Sequence, residues 1–95
     1  MNIEKLSWSG DATVTVNGIE YSCNLDCDVE TYSYENKHEP FYAEPMTDAL
    51  VMLDTFEASD PGGHPVNDGK LRRYIRMELV NWIEENETRI ILEAK

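Results

Sequence analysis

Ala12-Thr13-Val14-Thr15-Val16-Asn17-Gly18-Ile19-Glu20-Tyr21-Ser22-Cys23-Asn24-Leu25-Asp26-Cys27-Asp28-Val29 decides the fold of this chain. Two runs of strict alternation meet at Asn17-Gly18, a pair suited to a type I′ turn because both central residues need φ > 0. A two-residue loop fixes the register, so Val16 faces Ile19, Val14 faces Tyr21 and Ala12 faces Cys23. Those six side chains share one face, with Cys27 and Val29 further along it. The opposite face carries Thr13, Thr15, Glu20, Ser22, Asn24, Asp26, Asp28 and Glu30. Turn chemistry and side-chain period agree, which makes this hairpin the anchor of the reading.

Outward from the hairpin, Ile3 to Ser9 alternates weakly, with Leu6 and Trp8 on one side. Gly10-Asp11 reads as a turn that leads a first strand into the hairpin. Beyond Val29 the alternation continues, and Tyr32 and Tyr34 share the parity of Asp28 and Glu30. Residues 35–40 read as a loop, followed by the short apolar patch Phe41-Tyr42-Ala43 and Glu44-Pro45. From Ala49 to Glu57 a strand is preferred over a helix. Leu50, Val51, Met52 and Leu53 would make it a central strand covered on both sides. Residues 59–69, with Pro61-Gly62-Gly63 and Pro65, read as a long loop with a tight turn.

Leu71 to Glu85 is the clear helix. Leu71, Tyr74, Ile75, Leu79, Trp82 and Ile83 form its apolar stripe, and Asn67 or Asp68 can cap its start. Thr88 to Ala94 either continues that helix past Asn86 or forms a separate piece, and an edge strand also suits Ile90-Ile91-Leu92. The expected fold is α+β: an antiparallel sheet of three to four strands covered on one face by the C-terminal helix, in a single domain over residues 1–95.

The chain has 95 residues, 28% charged and 41% hydrophobic, as in a folded domain with one modest core. No basic start and apolar run suggest a signal peptide, and no stretch approaches the ~20 apolar residues of a membrane helix. A cytoplasmic location with reduced cysteines is therefore expected. Residues 1–60 hold thirteen acids against Lys5 and Lys37, so the whole net charge of −11 lies there. Residues 61–95 hold six acids and six bases. Such a field repels nucleic acid and anionic membranes and attracts basic protein surfaces; its plainest alternative purpose is solubility.

Cys23 and Cys27, with His38 and His64, invite a zinc reading. On a strand, however, residues four apart lie ~13 Å from each other, too far to share one tetrahedral metal or a disulfide. Buried thiols facing the helix are expected instead, and a zinc-binding module requires that residues 23–27 form a turn. Asp60, His64 and Asp68 accompany no recognisable nucleophile motif, so neither an enzyme nor a cofactor is expected.

The outward ladder Glu20, Asp26, Asp28 and Glu30, extended by Tyr32 and Tyr34, is the candidate partner-binding site. Alternate strand residues lie ~6.6 Å apart, a spacing like that of successive phosphates along a nucleic-acid strand. The alternative is an ordinary solvated sheet face. In the helix, Lys70, Arg72, Arg73 and Arg76 crowd the first turns while Glu84, Glu85 and Glu87 crowd the end. This order opposes the macrodipole at roughly 0.3–1 kcal/mol per charge. Pairing with acids of residues 54–60, or with a second copy of the chain, would compensate.

The succession of Asp26 to Tyr34, Glu44-Pro45 before an apolar strand, Pro61-Gly62-Gly63 and a helix starting with bases resembles small acidic proteins of tailed phages and prophages. In size and acidity the chain is similar to anti-CRISPR and anti-restriction proteins. The resemblance implies phage origin and no particular chemistry. With the acidic sheet face, the first expectation is a phage-type accessory protein that binds and inhibits a basic, nucleic-acid-handling host protein, as a nucleic-acid mimic. The competing class is a non-catalytic structural module, a homodimer, whose acidity serves solubility.

Overall fold

In the computed structural model the backbone is described for residues 2–34 and 46–94, and side chains for residues 3–32 and 49–94. Three strands, β1 (Asn2–Val16), β2 (Ile19–Tyr34) and β3 (Met46–Ser59), precede two helices, α1 (Gly69–Glu85) and α2 (Glu87–Ala94). The strands form one antiparallel sheet in the order β1-β2-β3, and both helices pack on the same pair of edge strands. This is the α+β arrangement expected. Residues 35–45, including the expected loop and the Phe41-Tyr42-Ala43 patch, lie outside the described residues.

The Asn17-Gly18 turn is present, with φ of 51° and 77°. Val16 pairs with Ile19, Val14 with Tyr21 and Ala12 with Cys23, in the register the turn dictates. That ladder continues without interruption to Asn2↔Ser33. Gly10-Asp11 is thus not a turn, contrary to the sequence reading: Gly10 sits inside β1 opposite Leu25. A Cβ at Gly10 would collide with Cη2 and Cζ2 of Trp8 and lie 3.2 Å from Cζ3. The glycine is there because the Trp8 ring lies flat across its position, which is a packing requirement and not a turn signal.

β3 is a strand, as preferred, but an edge strand. Asp26 pairs with Thr55 and Cys27 with Leu53, leaving Asp54 as the extra residue of a bulge. The bulge switches parity. Phe56 and Ala58 on one side of it and Val51 and Leu53 on the other therefore all turn to the core, while Leu50 and Met52 face out, 46% and 38% exposed. Among the described residues no second layer covers them, which corrects the expectation of a strand buried on both faces.

Beyond β3 the chain folds back on itself. Ser59 bridges Pro65, and the Val66 N–H donates to the Ala58 carbonyl at 2.9 Å. Asp60 Oδ1 accepts from the N–H groups of Gly62 (3.0 Å) and His64 (2.9 Å), and Gly63 takes φ of 83°. Pro61-Gly62-Gly63 is the expected tight turn.

Asp68 caps α1, its carboxylate accepting from the N–H groups of Lys70 (2.8 Å) and Leu71 (3.3 Å). That negative charge at the helix start offsets part of the cost of the neighbouring bases. Ile75, Leu79 and Ile83 are the buried residues of α1. Tyr74, placed in the stripe by its spacing, is 48% exposed at its border. Asn86 ends the helix: its N–H and its Nδ2 both donate to the Trp82 carbonyl, at 3.1 and 2.8 Å. α2 is therefore the separate piece, holding Ile90 fully buried against the core.

The core fills the space between the sheet's inner face and the helices. Leu25, Val29, Ile75, Leu79 and Ile90 are at most 1% exposed, each contributing roughly 1.5–3 kcal/mol by leaving water. Trp8 lies against Trp82, ring centroids 6.1 Å apart, and its Nε1–H donates to Glu93 at 2.7 Å. Arg72 ties the other end together. Its guanidinium lies 4.4 Å from the Phe56 ring centroid and donates to the carbonyls of Val66 (3.2 Å) and Phe56 (3.0 Å). It also approaches Glu57 at 3.9 Å, the pairing expected for one of the helix bases.

Candidate functional site: the outer face of the sheet

Both helices cover one side of the sheet, and among the described residues nothing packs on the other side of β2. Parity fixes which residues it shows. Register sets them in cross-strand rows: Asp11–Asn24–Glu57, Ser9–Asp26–Thr55, Ser7–Asp28–Met52, Lys5–Glu30–Leu50. The next row places Ile3 opposite Tyr32.

Asp26, Asp28 and Glu30 stand at successive outward positions of the central strand, each ~6.6 Å from the next, as expected. Asp26 is held in place. One carboxylate oxygen accepts from Ser9 Oγ at 2.6 Å and the other from Thr55 Oγ1 at 3.1 Å, so hydroxyls of both flanking strands grip it. Glu30 accepts from the Tyr32 hydroxyl, which orients the last carboxylate of the ladder. Tyr32 is only half-buried by its neighbours, and Tyr34 continues the strand with its side chain outside the described residues.

Glu20 does not join this group. Ser22 and Asn24 separate it from Asp26, and six strand residues amount to ~20 Å. The site is therefore the far half of the face, away from the hairpin tip. A depression of about 250 Å³ lies there, lined by Lys5, Ser7, Asp28, Glu30 and Met52 among others.

The sequence reading missed the apolar part of this surface. Ile3, Leu50 and Met52 are 52%, 46% and 38% exposed, directly beside the acids. The signal was the four-residue apolar run of β3, but only the strand order shows that its outward half meets no second layer.

The remaining candidates fall elsewhere. Cys23 and Cys27 are free thiols on the inner face of the continuous strand β2, 3% and 2% exposed. Burial, reinforced by Asp26, Asp28 and Asp54, pushes the Cys27 thiol up to about 11, and burial likewise raises Cys23 despite Arg72 nearby. Neither environment stabilises a thiolate, so neither thiol is primed as a nucleophile. Among the described residues, no group of three or more His, Cys, Asp or Glu converges in a way that could hold a metal. His64 is exposed and sits 3.4 Å from Asp60. The His64 N–H, the His64 ring and the Gly62 N–H together lower the Asp60 carboxyl's pKa, which serves the turn. No helix among the described residues is long and apolar enough to cross a membrane.

Comparison with protein-family models, with curated proteins and with solved structures finds no match to this chain.

Proposed function

We propose that the chain is a non-catalytic binding protein whose outer sheet face docks into a basic groove of a nucleic-acid-handling protein. The observation that carries this reading is the composition and order of that face. Three carboxylates at strand spacing, one fixed by two hydroxyls and one by a tyrosine, adjoin exposed Ile3, Leu50 and Met52. Charges arranged in a row supply long-range attraction and orientation. Desolvated aliphatic and aromatic groups beside them supply the contacts that slow dissociation. A face serving solubility alone needs no apolar residues next to its acids.

In the specific form of this reading the protein is a phage accessory factor of anti-CRISPR or anti-restriction type, acting in the bacterial cytoplasm. The ladder takes the place of a nucleic-acid backbone in the host protein's groove.

The test is affinity capture from bacterial lysate followed by competition. A basic nucleic-acid-handling protein should be retained at low salt, released at high salt and displaced by duplex DNA or RNA. Asp26→Asn, Asp28→Asn and Glu30→Gln together should abolish retention without loss of fold. The matched set Glu78→Gln, Glu85→Gln and Glu87→Gln should leave it intact. Equal loss with both sets would show that bulk charge alone matters and would overturn the assignment of the site.

A further inference from the structure

The outward side of α1 carries a second surface, on the opposite side of the molecule from the acidic ladder. At 100° per residue the buried residues Ile75, Leu79 and Ile83 define the inward direction, and Met77 stands opposite them. Tyr74, Met77 and Val80 are 48%, 60% and 41% exposed, an apolar stripe that nothing among the described residues covers. A depression of about 310 Å³ runs beside it, lined by Arg76, Met77, Val80 and Asn81. The stripe is flanked by Lys70 and Arg73 towards the helix start and by Glu84 towards its end, all exposed. Lys70, Arg73 and Arg76 make no ion pair among the described residues.

We infer that this face binds a second copy of the same chain through an antiparallel, two-fold pairing of α1 helices centred on Met77. The pattern is self-complementary about that residue, as an isologous interface demands. Turning one helix end for end over Met77 sets Lys70 opposite the partner copy's Glu84, each ~10 Å from the axis. Tyr74 then meets Val80, Arg73 meets Asn81, and Met77 meets itself.

The same pairing accounts for the charge order of α1, which has no acid in its first turn and no base in its last. Alone, the helix holds its bases against its own positive end. Paired antiparallel, those bases lie beside the partner copy's negative end and its acids. Net charge points the same way. The −11 lies entirely in residues 1–60, whereas residues 61–95 balance six acids with six bases, so two copies meet least repulsion on the helix side. A pair of helices of this length makes an interface at the small end of the specific range, so the dimer dissociates on dilution.

Sedimentation velocity over a wide range of concentration tests this. The wild type should pass from monomer to dimer and no further. Met77→Glu sets two carboxylates face to face on the axis and should raise the dimer Kd by at least about tenfold. Lys70→Glu alone and Glu84→Lys alone should each weaken the dimer, while both together restore it. Each of these swaps suits the helix dipole better than the native residue, so loss of association cannot be mistaken for loss of folding. A wild type that stays monomeric, a doubly swapped chain that fails to recover, or assembly beyond the dimer would overturn the proposal.

Discussion

Gly10→Ala adds one methyl group, and the structure predicts that it costs far more than a methyl group should. The new Cβ would sit inside the envelope of the Trp8 ring, 3.2 Å from Cζ3 and closer to Cη2 and Cζ2. Carbon atoms rest at about 3.5–4.0 Å, so the indole must shift by roughly 1 Å. It has little room to do so, being 5% exposed and packed 6.1 Å from Trp82. A shift of that size also breaks the 2.7 Å hydrogen bond from Nε1 to Glu93, which lies at the far end of the chain on α2. Forcing an extra group into a packed core costs about 1–3 kcal/mol, and a hydrogen bond to a charged group adds up to roughly 1.5 kcal/mol at a half-exposed position. Replacing glycine within a strand returns about 0.5–1 kcal/mol. The net expectation is a loss of roughly 2–3 kcal/mol, or a fall in Tm of about 10–20 °C for a domain of this size. Urea and thermal unfolding followed by tryptophan fluorescence and circular dichroism read the effect. The cycle is completed in a Trp8→Phe background, where the fused ring is gone and Gly10→Ala should become neutral or slightly stabilising. A stabilising Gly10→Ala in the native background, or an equal cost in both, would refute the account of why glycine stands there.

Asn17→Val with Gly18→Val should destabilise the hairpin by several kcal/mol, since φ of 51° and 77° is hostile to β-branched residues; a Tm close to wild type would refute this. Asp68→Ala should cost about 1 kcal/mol in urea unfolding, because the N–H groups of Lys70 and Leu71 lose their acceptor at the helix start. Cys27, with its pKa raised by burial and then by Asp26, Asp28 and Asp54 to about 11, binds its proton more tightly folded than unfolded. Its contribution is complete below the unfolded value near 9 and is lost as pH rises from 9 to 11. The wild type should therefore lose stability across that window more steeply than Cys27→Ala. In the native state neither thiol should react with an aqueous thiol reagent at neutral pH.

Local signals were legible and distant ones were not. The Asn17-Gly18 turn and the alternation on either side fix the pairing of β1 with β2, and with it the direction in which Asp26, Asp28 and Glu30 point. Gly10 looked like a turn because a glycine inside a strand is explained only by the indole lying over it, whose position depends on Trp82 and Glu93. Leu50 and Met52 were placed in the strand but not at the surface. Their exposure follows from β3 being an edge and from a bulge at Asp54, neither of which is written in residues 49–57. Tyr74 lies at the margin of a helical stripe, where the roll of α1 against the sheet decides between core and solvent. The capping role of Asp68 was foreseeable from its type and place, whereas the break at Asn86 needed the carbonyl of Trp82 to accept two hydrogen bonds.

The uninterrupted pairing of β1 with β2 has a consequence for how the chain comes together. The contact Val16↔Ile19 spans three residues of chain and Asn2↔Ser33 spans thirty-one, so loop-closure entropy favours zipping from the Asn17-Gly18 end. The β2–β3 ladder runs the other way, its shortest loop at Tyr34↔Met46 and its longest at Ser22↔Ser59. The central strand is therefore recruited from its two ends by its two neighbours. Hydrogen exchange during refolding should show amides near Ile19 and Tyr34 gaining protection before those near Cys27, in the middle of the same strand.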